Sequence, residues 1–264
     1  MLVVCDVDGT LVDGQKRLTG ATIAAVARLR AAGIRFTIIS ARPMSGMMPL
    51  AEQLALDLPM GAFNGGLIFR RDAGVAEHHT IAPEVARGVF DLIGDAAVDR
   101  WVFADDRWYG STDRGVHVAH ERLASAQNMI VRDTFDDLLD HADKITFVSD
   151  DAVLLATLAE KVKPFAMRAT IVQSQTYYLD ITALPANKGA GIAALAQAIG
   201  VPLKHTVAIG DQANDLAMFE RAGRSIAMGN ATGVVKGRAN DVTTGNDADG
   251  VAHAIDNLIL GRMM

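Results

Sequence analysis

The sequence predicts an α/β fold: a Rossmann-like, parallel-sheet core interrupted by an inserted α+β unit. Three observations carry this. Residues 2–5 are a short apolar run with β-branched members, cut off by the polar turn Asp6-Val7-Asp8-Gly9-Thr10. Such a run reads as a strand buried on both faces. Strand and helix patterns alternate up to about residue 82 and again from Asn187 onward, as in a parallel sheet with crossover helices. Between them helices mix with strands that return on themselves, the pattern of an α+β unit.

The elements follow in order. Residues 19–32 are Ala-rich with Ile23, Val26 and Leu29 at helical spacing, and Gly33 closes that helix. Residues 34–39 form a second buried strand ending at Ser40-Ala41-Arg42-Pro43, and 44–57 read as a helix across Pro49. Asn64-Gly65-Gly66 precedes a hairpin that turns at residues 71–74 and returns to Ile81. Pro83 starts a helix to about Ile93, proline being well placed at the first helical position. Residues 100–104, 108–111, 144–149, 168–173 and 177–182 read as strands; 115–126 and 151–162 read as helices. From Asn187 come a helix at 188–199 closed by Gly200, a buried strand at 206–209, a helix at 216–222 and a strand at 225–228. A short helix at 234–238 and a final helix from Asp247 end the chain. The predicted organisation is a core from residues 1–82 and 184–264, with 83–183 as an insertion large enough for a small core of its own.

Composition excludes several classes. Half of the 264 residues are hydrophobic and 21% are charged, which suits a soluble globular chain with a sizeable core. A net charge of −6 argues against nucleic-acid binding through bulk positive charge. The lone Cys5 excludes an intramolecular disulfide and fits a reducing, cytoplasmic setting. The first residues lack the basic region of a signal peptide, and no stretch is long enough to span a bilayer. A monomer or weak homodimer is expected.

Asp6 and Asp8 leave the mouth of a buried strand two residues apart. Like charges there repel, and nothing in folding requires them, although Asp is also a common turn former. In an open parallel sheet, ligands bind at the carboxyl ends of the strands. Ser40 ends the second strand, Lys188 opens the helix after the insertion, and Asp211 follows Val207-Ala208-Ile209-Gly210. If these strands are neighbours, all four clusters meet at one sheet edge. Asp6 and Asp211 are hard oxygen ligands that suit Mg²⁺. Ser40 and the backbone N–H groups of the first turn, around Gly9, suit phosphate oxygens. Lys188 would neutralise phosphate and nucleophile. Taken singly, Ser40 reads as a strand-end cap, Lys188 as a solvated helix residue and Gly210-Asp211 as a turn.

The ordered set resembles the phosphatases of the haloacid dehalogenase superfamily: Asp6-x-Asp8-Gly9-Thr10, then Ser40, then Lys188, then Gly210-Asp211-x-x-Asn214-Asp215. The insertion falls between the second and third motifs, which resembles the type IIB branch with its α/β cap. Ser40-Ala41-Arg42, Asn64-Gly65-Gly66, Asn187-Lys188-Gly189, residues 228–231 and residues 249–252 resemble that branch too; Ala41 and Gly66 depart from the commoner Gly and Ala. The resemblance implies that Asp6 attacks phosphorus to form an aspartyl-phosphate and that Asp8 serves as general acid and then base. It implies a Mg²⁺ held by Asp6, Asp8 and Asp211, with Asp215 orienting Lys188 or metal-bound water. It places Ser40, Ala41, Arg42, Asn64, Gly65 and Asn214 around the substrate.

Specificity is expected in the cap. Trp101, Trp108, Tyr109, Tyr177 and Tyr178 read as cap core more than as pocket. Asp180 and Thr182 alternate on the strand that re-enters the core and are expected to bind sugar hydroxyls. His78-His79 lacks companions at ligand spacing and reads as surface. The expected substrate is a small phosphorylated metabolite, with sugar phosphates foremost. A sugar phosphomutase and a non-catalytic phosphometabolite-binding module are the alternatives.

Overall fold

The structure is a computed structural model describing residues 1–262. The chain begins β1 (Leu2–Cys5), α1 (Gly20–Ala31), β2 (Arg35–Ile38), α2 (Met44–Gln53), β3 (Met60–Ala62), β4 (Leu67–Arg70) and β5 (Gly74–His78). It continues through α3 (Pro83–Ile93), β6 (Asp99–Ala104), β7 (Arg107–Gly110), α4 (Val118–Ser125), β8 (Ile130–Val131), β9 (Lys144–Val148), α5 (Ala152–Val162), β10 (Ala169–Gln175) and β11 (Tyr178–Ala183). It returns through α6 (Lys188–Ile199), β12 (Thr206–Gly210), α7 (Leu216–Phe219), β13 (Arg224–Ala227), α8 (Gly233–Arg238), β14 (Asp241–Val242) and α9 (Gly250–His253).

Five strands form a parallel sheet in the order β14-β13-β12-β1-β2. Residues of β1 alternate between its two faces. Val3 and Cys5 enter one cluster with Ala25, Val26, Leu29 and Ile255; Leu2 and Val4 enter another with Ile192, Leu195 and Met218. Helices therefore cover both faces, which explains why this strand is apolar without alternation. The chain leaves β1 toward β2 on one side and returns to β12 on the other. Such a reversal opens a crevice at the carboxyl ends of the two strands. Cys5 lies opposite Ile209 in their ladder, so Asp6 and Asp211 emerge side by side.

A second, six-stranded sheet has the order β10-β11-β9-β6-β7-β8, antiparallel except for β7 with β8. One face packs Val102, Ile145, Phe147, Leu179 and Ile181 under Val85, Val89, Leu155 and Leu158 of α3 and α5. The other turns Trp101, Phe103, Trp108 and Tyr178 toward the parallel-sheet core, where Phe103 meets Phe63 edge-on at 6.1 Å. This is the separate α+β cap region that the mixed pattern implies. Its tryptophans are packing residues: Trp101 and Trp108 are fully buried and form a T-shaped pair.

Several elements end elsewhere than the sequence predicts. The second helix stops at Gln53 rather than 57, where Ala55 takes a left-handed φ of 48°. The helix read over 115–126 begins only at Val118. The one read over 216–222 stops as a regular α-helix at Phe219, and the final helix starts at Gly250 because Asp249 adopts φ 53°. His78 ends β5 with its ring exposed, bonded to the buried Asp143 of the cap sheet's side of the chain.

Candidate active site

The first turn is built around Gly9, whose φ of +79° favours glycine and where a Cβ would run into the Asp211 carboxylate. That close approach brings β1 and β12 chemistry together. Thr10 Oγ1 donates to Asp211 Oδ1 at 2.8 Å, and Asn230 Nδ2 donates to the Gly9 carbonyl at 2.8 Å. Gln212 Nε2 reaches Asp211 Oδ2 at 3.1 Å.

Lys188 is buried at the start of α6, where the Asn187 side chain caps the helix. Its Nζ donates to Asp6 Oδ1 and to Asp215 Oδ1, both at 2.5 Å. Asp215, fully buried, also accepts the backbone N–H groups of Asp211 and Gln212 at 2.8 and 2.9 Å. Burial works against the Lys188 ammonium, but Asp215 and Asp6 outweigh it and hold its pKa above the ordinary value. Burial pushes the Asp6 carboxyl up, with Asp215 and Asp211 adding to the effect and Lys188 opposing it.

Asp8 has a different environment. Arg42 grips it with Nε to Oδ2 at 2.7 Å and Nη2 to Oδ1 at 2.8 Å, a bidentate arrangement. Lys16 adds a bond to Oδ1 at 2.6 Å. Burial alone would raise this carboxyl, but the two cations hold it well below the usual carboxylate range. Lys16 itself sits at φ 62°, in the left-handed region, within a turn tied by its N–H to the Asp13 carbonyl.

Three carboxylates, Asp6, Asp211 and Asp215, bring ligand oxygens within 4.8 Å of one another, all buried. One buried ammonium, Lys188, faces these three anions. The uncompensated charge and the all-oxygen donor set fit a hard divalent cation. The Asp8 side chain stands outside this side-chain cluster and is bonded to Arg42 and Lys16.

Asp6, Asp8, Ser40, Ala41, Arg42, Asn214 and Lys188 line one cleft of about 90 Å³ together with Lys16 and Gln212. Asn214 Oδ1 is buried with no hydrogen-bond partner among the described residues. Ser40 Oγ accepts the Arg42 N–H at 3.2 Å. The cap contributes His120, Glu121, Lys144, Ser174, Gln175, Tyr178 and Asp180 to the same cleft.

Of the residues expected at the site, Gly9, Asp211 and Asp215 are not part of this lining, and neither are Asn64, Gly65 and Thr182. Thr182 is buried and its hydroxyl donates to the Ala186 carbonyl at 3.3 Å. Asn64 takes φ 58° and Gly65 φ 94°, Gly65 packing against the backbone of Gly191; they brace the floor where α6 meets the turn. Lys16, Glu121 and Lys144 escaped the sequence reading. A lone lysine or glutamate on a strand, helix or loop carries no spacing signal, and only the fold brings these three to the cleft.

The family described as haloacid dehalogenase-like hydrolase matches residues 3–255. A 5-amino-6-(5-phospho-D-ribitylamino)uracil phosphatase of Bacillus subtilis is 26% identical, over 98% of this chain and 96% of its own. A pyridoxal phosphate phosphatase of Escherichia coli is 27% identical, over 96% and 97%. In fold the chain is similar to a solved sugar phosphatase of haloacid dehalogenase subclass IIB, with a TM-score of 0.83 at 22% identity, covering 97% of this chain and 98% of that one. By the family match over nearly its whole length, the chain belongs to the haloacid dehalogenase-like hydrolases, in company with phosphatases of that family.

Proposed function

We propose that this chain is a Mg²⁺-dependent phosphatase of small phosphomonoesters, sugar phosphates foremost, working through an aspartyl-phosphate. The observation that carries it is the division of labour between the two carboxylates of β1. Asp6 lies against Lys188 beside Asp211 and Asp215, while Asp8, two residues on, is held apart by Arg42 and Lys16.

In this reading an Asp6 oxygen bonds to phosphorus as the ester oxygen leaves, and Asp8 delivers a proton to that oxygen. Asp8 then takes a proton from the attacking water, the Asp6–phosphorus bond breaks, and both carboxyl groups return to their starting state. Asp6, Asp211 and Asp215 would hold the divalent ion. When bound, that ion supplies positive charge against the repulsion between nucleophile and phosphate. Lys188 keeps Asp6 pointed at the cleft. Ser40 and Asn214 are phosphate contacts. Arg42 and Lys16 can turn from Asp8 to the phosphate, which frees Asp8 to carry its proton. Residues 1–82 and 184–264 form the catalytic core, and 83–183 form the cap that shields the acyl-phosphate from bulk water.

Phosphate release from a panel of phosphomonoesters, with and without Mg²⁺, tests this. Turnover of sugar phosphates that stops with chelator is the expected result. Intramolecular phosphate transfer without net release would replace the phosphatase with a mutase. No turnover of any ester would leave a binding module.

A further inference from the structure

Glu121, Lys144 and Tyr178 stand on the cap wall of the cleft, facing the carboxylates of β1. All three are buried. The side chains of Glu121 and Lys144 are each 8% exposed, yet Lys144 Nζ and Glu121 Oε1 stand 4.0 Å apart. That is too far for a charge-assisted hydrogen bond, which closes to roughly 2.7–2.9 Å. Lys144 Nζ lies 4.3 Å from the centre of the Phe103 ring and has no hydrogen-bond partner among the described residues. The Tyr178 hydroxyl is likewise buried without a partner. Buried polar groups left this way cost free energy, and each one calls for an explanation.

Asp180, which lines the same cleft, does not share this condition. Asp180, on the same sheet face, accepts from Thr146 at 2.6 Å and from Ser174 at 2.5 Å. Register puts Thr182 opposite Lys144 and Asp180 opposite Thr146. Within the cleft lining, then, Asp180 is satisfied by its own sheet, whereas Glu121, Lys144 and Tyr178 make no side-chain hydrogen bond among the described residues.

We propose that Glu121, Lys144 and Tyr178 form a clamp for the hydroxyls of the leaving group, so that the substrate is the phosphate of a compact polyol. This deepens the phosphatase reading above and rests on it. A hydroxyl is donor and acceptor at one atom. Placed between Glu121 and Lys144 it sits about 2.8 Å from both across the 4.0 Å gap, donating to the carboxylate and accepting from the ammonium. The next hydroxyl along the chain pairs with Tyr178. A carboxylate or second phosphate would meet repulsion from Glu121, an ammonium would meet it from Lys144, and an apolar group would leave both unpaired. A cleft of about 90 Å³ whose lining includes Tyr178 as its one Phe, Tyr or Trp offers no stacking platform for a large planar ring.

The test is the ratio of kcat/KM for four- to six-carbon alditol and aldose phosphates to that for p-nitrophenyl phosphate, whose leaving group has no aliphatic hydroxyls. Glu121→Gln and Lys144→Met are each expected to lower this ratio at least about tenfold, the loss of one hydrogen bond to a charged group, and mainly through KM. The double variant, Glu121→Gln with Lys144→Met, removes both charges and relieves any folding defect left by one unpaired charge. The ratio should stay low in it while its Tm returns toward wild type. Recovery of the ratio in the double variant, or equal losses on both ester classes, would reduce the pair to a structural contact and overturn the clamp. If the wild-type protein hydrolyses the aryl ester and the ratio is unmoved by any variant, the clamp falls and the phosphatase reading stands. If it hydrolyses neither class, both fall.

Discussion

Asp6 and Asp8 are chemically the same side chain two positions apart, and their surroundings assign them different work. Asp6 shares one ammonium with a second carboxylate; Asp8 has a guanidinium and an ammonium to itself. Asp6→Asn keeps the shape and would lose the proposed nucleophile. We expect it to fold and to release phosphate at least about a thousandfold more slowly, as read by phosphate release beside an unchanged circular dichroism spectrum. Wild-type-like turnover would sink the covalent route. For Asp8 the consequence is a pH signature. Its folded pKa is depressed by Arg42 and Lys16, so its stabilisation is present above the unfolded carboxyl pKa of about 3.9 and is lost as pH falls through the lower folded value. Asp8→Asn should therefore lower Tm at pH 7 by roughly 4–8 °C, from about 2 kcal/mol of charge-assisted hydrogen bonding. The gap to wild type should close only below pH about 4. A gap that is constant down to the lowest pH at which both proteins fold would show that the cations do not depress Asp8.

At the scale of elements, the cap rests on the core through α2 and α4. Ser45 N–H donates to Asp106 Oδ1 at 3.2 Å, Ser45 Oγ donates to the Ser125 carbonyl at 2.8 Å, and Gln127 reaches Ser45 at 2.6 Å. Gly46, between these contacts, lies against the Ala124 backbone so closely that a Cβ would collide with its carbonyl. Neither backbone can yield locally, so Gly46→Ala should hold α4 off α2 and widen the cleft. We expect kcat/KM to fall about ten- to a hundredfold, as for an angstrom-scale misplacement, with more solvent exchange at the α4 amides; normal kinetics in a folded Gly46→Ala protein would show that this contact does not set closure. The same elements show what the sequence could reveal. α3 and α6 occupy the predicted residues because their ends carry local signals: Pro83 at the first position of one, Asn187 and Gly200 bracketing the other. The four core motifs were legible because each sits on a strand or helix end. Thr182 was expected in the cleft from period-2 alternation with Asp180, but alternation fixes the face and not the reach along the strand. Glu121 and Lys144 face each other from different elements, 23 positions apart, a relation that exists only after the cap has folded.

At the scale of the whole molecule, the two halves of the parallel sheet meet where like charges converge. Asp6 follows β1, while Asp211 and Asp215 follow β12, just over two hundred residues later in the chain, and Lys188 is the one ammonium that pairs with them among the described residues. Folding must bring three carboxylates together with only that offset, so an ion that binds the folded site and not the unfolded chain should stabilise the entire core. Linkage sets the size: about 2.7 kcal/mol at a hundred times the dissociation constant, which for a chain of this length is roughly 5–10 °C in Tm. Differential scanning calorimetry with saturating Mg²⁺ against exhaustive chelator should show that shift, and chelated protein should lose phosphate release with it. Asp211→Asn removes one ligand and one negative charge together. It should raise the Tm of the chelated protein, because repulsion is relieved, and shrink the Mg²⁺-induced shift, because the site is weakened. A structural carboxylate would give neither sign: its loss would lower Tm in chelator and leave any Mg²⁺ shift intact. The opposite movement of these two quantities in one variant thus separates a cation site that the fold tolerates for its chemistry from a buried cluster that the fold needs for itself.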